Sequence, residues 1–246
     1  MISAVVADLG FGSLAVAALA IFLGATLQGS VGFGLGLLAG PILIMIDPGF
    51  VPAPILLVGF PLTLGMVWRE RKTADIRRVG WAMVGRAFGT GLGAAAVALI
   101  PARGLAIVFA CVILGAVVVS LTGVTIAATR ENLVVAGIIS GITGTTSSVG
   151  GPPVALVYQS EKGPEVRGAL SFYMAFGAGA SLVGLWAVGR LGARELSMAL
   201  LLLPALGLGF VASGYARHIV DDGYTRIAIL LFATLAGLSI LGRNLF

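Results

Sequence analysis

The chain has 246 residues, 59% of them hydrophobic, with a formal net charge of +5 and a mean hydropathy of +1.09. Only 10% are charged, whereas a soluble domain of this size carries about a quarter charged residues to solvate its surface. That shortfall excludes an ordinary soluble domain and intrinsic disorder together.

No Asp, Glu, Lys or Arg interrupts residues 9–46, 48–68, 104–129, 132–160, 168–189 or 196–216, so these are membrane segments. Met1 to Leu9 holds Asp8 but no Lys or Arg, and no signal peptide is expected. In chain order the apolar elements run over about 13–46, 49–68, 79–99, 104–121, 132–159, 168–188, 196–214 and 227–242. The first is about 34 residues, about 50 Å as one helix, and contains Gly29, Gly32, Gly34, Gly36, Gly40 and Pro41. Such a density of Gly with Pro costs a continuous helix several kcal/mol, so a break in the middle is expected. In the second, Pro61 marks a kink. The third carries a packing stripe, Gly85, Gly89 and Gly93, and beside it Arg86, which is either functional or snorkels to the near interface. The fourth holds Cys111, the single cysteine, read as a buried thiol with no intramolecular disulfide available. The fifth is broken like the first, by Gly141, Gly144, Gly150, Gly151, Pro152 and Pro153. Arg167 opens the sixth, flanking an entrance or anchoring the helix, and Pro204 lies inside the seventh. His218, the only histidine, falls in a following loop beside Arg217, Asp221 and Asp222, while Trp68, Trp81 and Trp186 near span ends read as interfacial belt residues.

A shift of 112 residues lays Gly29 on Gly141, Gly32 on Gly144, Pro41 on Pro153, Pro52 on Pro164, Arg78 on Arg190 and Gly80 on Gly192. This indicates one transmembrane domain over 1–246 built from two repeats, about 13–121 and about 132–243. If each broken element is a kinked crossing, Lys plus Arg divide 9 to 5 between the two faces; if each is a hairpin of two half-depth helices (13–28 with 33–46, 132–142 with 151–159), they divide 10 to 4 and the repeats are inverted. Both readings put Arg69, Arg71, Lys72, Arg77 and Arg78 in the cytoplasm. The basic excess belongs to membrane faces and anionic lipid rather than nucleic acid.

The broken segments contain no Asp, Glu, His, Cys, Lys or Arg, which leaves no nucleophile–base pair and no metal cluster there. No nucleotide-binding glycine motif with its Lys or acidic partner occurs, so neither an enzyme nor a cofactor is expected. What the segments offer is Gln28, Gly29, Ser30, Gly32, Phe33 and Gly34 in the first, and Gly144, Thr145, Thr146, Ser147, Ser148, Gly150 and Gly151 in the second. Unwound turns at half-helix ends present free N–H groups, and hydroxyl donors beside them suit a small oxyanion. The plainer alternative is that these glycines only allow close helix packing. Arg86 is the next candidate for the anion. No titratable Asp, Glu or His lies within a span, so transport driven by the membrane potential without obligatory proton exchange is expected.

Two repeats, each opening with a Gly-rich segment that ends in Pro, resemble the TauE/SafE family of sulfite and sulfonate exporters. The residues carrying the resemblance are Gly29-Ser30-Val31-Gly32-Phe33-Gly34 with Gly40-Pro41, and Gly144 with Gly150-Gly151-Pro152-Pro153. The resemblance implies a transporter of the bacterial cytoplasmic membrane for sulfite or an organosulfonate, with the Gly-rich segments near the path. The expected class is an all-α polytopic membrane protein of about eight elements whose partners are a small anion and the bilayer. Competing readings are an uptake permease or conduit for another small solute, and a subunit of a larger membrane complex.

Overall fold

The computed structural model describes residues 2–72, 76–122, 126–158, 164–220, 231, 234–235 and 237–242, and among them every regular element is helical. The main helices are α1 (Ile2–Val31), α2 (Leu35–Ile46), α3 (Ala53–Glu70), α4 (Gly80–Leu99), α5 (Ala102–Thr122), α6 (Arg130–Ser147), α7 (Gly151–Val157), α8 (Pro164–Ala187) and α9 (Ala193–Val220). Six stretches are long and apolar enough to cross a bilayer: 2–31, 48–70, 76–99, 103–122, 168–187 and 193–216. The chain is therefore an all-α polytopic membrane protein.

Both Gly-rich elements are broken, and each doubles back. The first turn needs glycine, since Gly32 and Gly34 sit at φ 107° and 133°, where a side chain would clash with the backbone. Past it, Gln28 Oε1 accepts from the Leu35 N–H at 3.1 Å, and α2 returns along α1. One Arg194 Nη2 reaches both Asp8 (2.8 Å) and Asp47 (2.9 Å), which places the start of α1 and the end of α2 on the same face. The second element breaks after Ser148, in left-handed geometry at φ 60°. Its return ends where it began: Tyr158 donates its hydroxyl proton to the Arg78 carbonyl beside the start of α4, and α6 runs parallel to α4. The parallel sense follows from the order of contacts, Gly85 against Val134, Gly89 against Ile138 and Gly93 against Ile142.

Following the chain from these anchors, α3 leaves the face of Asp8, Asp47 and Arg194 and reaches the face of Arg71 and Arg78. Helix α4 returns and α5 crosses again. The α6–α7 hairpin then enters from the second face, the opposite side to α1–α2. Helices α8 and α9 make two further crossings, with Arg190 Nη2 meeting the Ala98 carbonyl at 3.5 Å where α8 and α4 both end. The two largest apolar cores lie around the hairpins: α1, α2, α3 and α9 share one through Ile21, Leu43, Leu62 and Leu202, and α4, α6, α7 and α8 share the other through Ala82, Leu133, Val154 and Tyr173, while α5 packs on α2 in a further cluster through Phe109, Ala110 and Ile44.

Several expectations change. A short helix at the start of α1, carrying Asp8 paired with Arg194, precedes the element expected from near 13; it is separated by a break at Gly10 (φ 74°) from the helix that continues to Val31. The first arms are not half-depth: past the break at Gly10, α1 runs on over residues 11–31, roughly 32 Å, and α6 has 18 residues, roughly 27 Å, while the return arms α2 and α7 have 12 and 7, roughly 18 and 10 Å. Cys111 is exposed on α5, not buried, since a helix apolar on every side gives no sign of which face meets lipid. Residue 218 lies in α9 rather than in a loop; the side chains of Arg167 and His218, and all of Asp221 and Asp222, lie outside the described residues. The glycine stripe on α4 does pack: a Cβ at Gly85 or Gly89 would strike the carbonyls of Val134 or Ile138. Trp68, Trp81 and Trp186 are 68%, 46% and 70% exposed near helix ends, as belt residues are.

Candidate functional site

The two hairpin tips meet inside the molecule. The Ser148 carbonyl packs on Gly36, the Phe33 side chain packs on Gly151, and a side chain at either glycine would force the tips apart. Between them lies a cavity of about 60 Å³, walled by Gln28, Phe33 to Leu37, Gly144, Ser148 to Pro152, and residues of α3 and α8 that include Gly59, Thr63, Met174 and Ala178. That is room for roughly two waters or one small oxyanion.

Arg86 enters this cavity from α4 and is only 3% exposed. It lies against α6 between Gly137 and Gly141, seven to eleven residues from Arg130, roughly 10–16 Å in from the second face. It does not snorkel. Three glycines make its slot: a Cβ at Gly144, Gly150 or Gly177 would collide with the guanidinium, and at Gly177 it would stand 2.5 Å from Cζ. The Tyr173 ring lies 5.5 Å from Cζ. Nη1 donates to Ser140 Oγ at 2.5 Å, and the buried Ser140 hydroxyl in turn donates to the Gly150 carbonyl at the second tip. Nε is buried and makes no hydrogen bond among the described residues. Among the described residues no carboxylate pairs with Arg86. A buried cation without a counter-charge is among the most expensive arrangements a membrane protein can hold, and an anion in the cavity would relieve it.

Other donors converge there. Gln28 is 8% exposed, its carbonyl is committed to Leu35, and its amide N–H groups have no protein partner among the described residues. Helix α2 starts at the cavity wall, where the Gly36 and Leu37 N–H groups form no backbone hydrogen bond among the described residues; the helix dipole adds partial positive charge at that end. Helix α7, at seven residues, is too short to add a comparable field.

Of the sequence candidates, the fold brings Gln28, Phe33, Gly34, Arg86, Gly144, Ser148, Gly150 and Gly151 to this one cavity. The others face elsewhere. Gly29 packs on Ser213 of α9, and Ser30 donates to Thr26 O (2.8 Å) and Ser213 O (3.3 Å). Gly32 serves the turn. Thr145 shares a 2.8 Å hydrogen bond with Ser181, while the Thr146 and Ser147 hydroxyls donate to carbonyls of their own helix at Ile142 and Thr143. The Ser148 hydroxyl, though in the wall, donates to Pro52 O at 3.0 Å. Sequence reading missed Ser140, Gly177 and Tyr173, which shape the Arg86 slot from other turns and helices. Their only signal was a serine and a glycine inside spans, and such residues are common in packed membrane helices.

No match was found among curated proteins or among solved structures. The family model "Sulfite exporter TauE/SafE" matches residues 16–240, which takes in both hairpins and the Arg86 cavity. The chain belongs to the TauE/SafE family of membrane transporters.

Proposed function

We propose that this protein exports a small sulfur-containing oxyanion, sulfite first among the choices, across a bacterial cytoplasmic membrane, and that Arg86 binds the anion in the cavity between the hairpin tips. One observation carries the reading: a mid-membrane guanidinium with no carboxylate partner among the described residues, in a cavity that also exposes the Gln28 amide and the N–H groups at the start of α2. Charge supplies the affinity, since hydrogen bonds to a charged group contribute about 1.5–3 kcal/mol each. The small volume favours a compact oxyanion such as sulfite over a long-tailed sulfonate.

The orientation follows the positive-inside rule: Arg69, Arg71, Lys72, Arg77, Arg78 and Arg130 lie on the second face, against Arg103, Arg190 and Arg194 on the first, so the second face is cytoplasmic. A duplicated origin is supported by the matching cores, in which hairpin one with α3 and α9 corresponds to hairpin two with α8 and α4. Opposed hairpins closing on a shared site suit alternating access, one tip withdrawing while the other holds. An anion leaving a negative interior gains about 2.3 kcal/mol per charge per 100 mV, which can drive export without a proton relay.

The test is flux of labelled sulfite from proteoliposomes containing the purified protein alone, with thiosulfate, sulfate, sulfoacetate and taurine as competitors. Potential-dependent flux that persists when the pH gradient is collapsed, and that Arg86→Gln removes, supports the reading. Flux that requires a pH gradient, or an Arg86→Gln protein that transports normally, overturns it.

A further inference from the structure

The Arg86 cavity has a neighbour toward the first face. A cavity of about 160 Å³ lies there between the start of α3, the end of α4, the start of α5 and the turn from α8 to α9. Exposed Pro48, Gly49 and Arg190 form its mouth, and buried Pro52, Ala53 and Val97 form its floor. Leu56, one turn further along α3, already lines the Arg86 cavity, and Arg86 itself lies eleven residues from Val97 along α4, roughly 16 Å. Little separates the two spaces. Ala53 and Val97 pack with Leu56 and Leu185 in one buried cluster, while Ile44 and Ala106 of the first-face cavity pack with Val149 of the Arg86 cavity in another. Where this apolar layer meets the second hairpin tip, the Ser148 hydroxyl donates to the Pro52 carbonyl at 3.0 Å. Ser148 is the one non-glycine at positive φ (60°) among the described residues, and that conformation costs an L-residue energy. Contacts such as the one to Pro52, rather than backbone preference, therefore hold the tip where it is.

We propose that the first-face cavity is the vestibule through which the anion leaves the Arg86 cavity, and that the Ser148–Pro52 contact with the apolar layer beside it is the closure between the two. The proposal rests on the reading of Arg86 as the anion's site. While the layer is intact it is a barrier, because an ion entering it would be stripped of water with nothing polar in exchange. Withdrawal of the second tip takes Ser148 off Pro52 and Val149 off Ile44 and Ala106, which joins the two cavities. The charges of the vestibule favour release over capture. Its wall carries one of each sign, Arg190 and Glu195, with Arg190 donating to the Ala98 carbonyl at 3.5 Å and Glu195 accepting from the Gly192 N–H at 2.8 Å. Both stand near solvent, where attraction for an anion is screened, whereas Arg86 is buried and holds it. With the first face outside, passage in this direction is export.

Labelling by a membrane-impermeant maleimide tests the route, in the full chain with Cys111→Ala so that each introduced thiol stands alone. Gly49→Cys, at the mouth, should react fast and identifies the side from which the first face is reached. Leu56→Cys, beyond the closure, should react several-fold more slowly from that same side. Ser148→Ala removes the hydroxyl that holds Pro52, and is expected to raise the Leu56→Cys rate several-fold while leaving the Gly49→Cys rate unchanged. Gly49→Trp at the exposed mouth, or Ala106→Phe from the opposite wall, obstructs the vestibule and should cancel that gain. Leu56→Cys reacting as fast as Gly49→Cys before Ser148 is altered would overturn the proposal, since no closure would stand between them. So would a Ser148→Ala protein with no gain, one in which both thiols speed up together, or a gain that survives both obstructing substitutions. Labelling of Gly49→Cys from the cytoplasmic side alone would overturn the assignment as an exit. These rates read access without sulfite, so their failure leaves the Arg86 reading standing, and loss of sulfite binding by the protein leaves them unchanged.

Discussion

Arg69 and Arg86 each reach one of the two hairpins, and their surroundings differ in the one respect that matters for an anion. Arg69 donates to the Gly29 carbonyl of the first hairpin and, at 3.1 Å, to Ser213 Oγ of α9, with its guanidinium 4.9 Å from the Phe210 ring. Its side chain is 23% exposed at the end of α3, and Glu70 lies 3.7 Å away. Arg86 reaches the second hairpin through Ser140 and Gly150, is buried, and has no carboxylate beside it among the described residues. The same residue type is thus a clamp in one place and an unsatisfied charge in the other. What separates them is counter-charge and desolvation, not position along a helix.

Breaking the comparison at Arg86 should give the largest effect. Arg86→Gln is expected to lower sulfite affinity by about 10- to 100-fold, the scale of losing charge-assisted hydrogen bonds. Its thermal midpoint should hold or rise, because an uncompensated buried charge has been removed. Arg86→Lys keeps the charge but not the planar fork, and should recover only part of the affinity. Next comes the slot. Gly177→Ala or Gly150→Ala drives a methyl into the guanidinium, and overpacking of about 1–3 kcal/mol corresponds to roughly five- to 150-fold weaker binding if the arginine moves to relieve it. Equilibrium binding on detergent-solubilised protein measures both.

Arg69→Gln inverts the pattern. It leaves the Gly29 carbonyl and the α1–α9 contact short of a donor, so the midpoint should fall by the equivalent of about 1–3 kcal/mol while sulfite affinity stays within about twofold of wild type. The smallest effects sharpen the boundary of the site. Gln28→Leu removes a neutral donor and should cost about three- to tenfold in affinity. Thr146→Val should leave affinity unchanged, since that hydroxyl donates to the Ile142 carbonyl of its own helix at 2.8 Å. A Thr146→Val protein that binds as weakly as Arg86→Gln would show that the second hairpin rearranges to present its hydroxyls.

Much of this was legible in the sequence. The charge-free runs located the spans, and the density of Gly with Pro located both breaks, because few residues besides glycine accept the backbone at Gly32 and Gly34. Hydropathy could not decide whether a broken element crosses or returns. That information sits in pairs far apart in sequence, Asp8 and Asp47 on Arg194, and Tyr158 on Arg78. The site was legible by residue type but not by direction. Thr145, Thr146 and Ser147 are polar and lie at the break, yet the turn aims their hydroxyls at Ser181 and at their own helix. Ser140, by its hydrogen bonds to Arg86 and Gly150, and Gly177, by close packing, meet Arg86 only once the helices come together, which a single sequence does not display.

Ligand-induced stabilisation tests the role of Arg86 most directly, because it needs neither orientation nor flux. Thermal unfolding of the purified wild-type protein in rising sulfite should show a saturable increase in midpoint, corresponding to about 2.7 kcal/mol at a hundredfold excess over Kd. Arg86→Gln, starting from an equal or higher midpoint, should show a much smaller increase over the same concentrations, about 0.4 to 1.4 kcal/mol for a Kd weakened 100- to 10-fold. A sulfite-dependent increase of the same size in Arg86→Gln would contradict the assignment of Arg86 as the anion's partner.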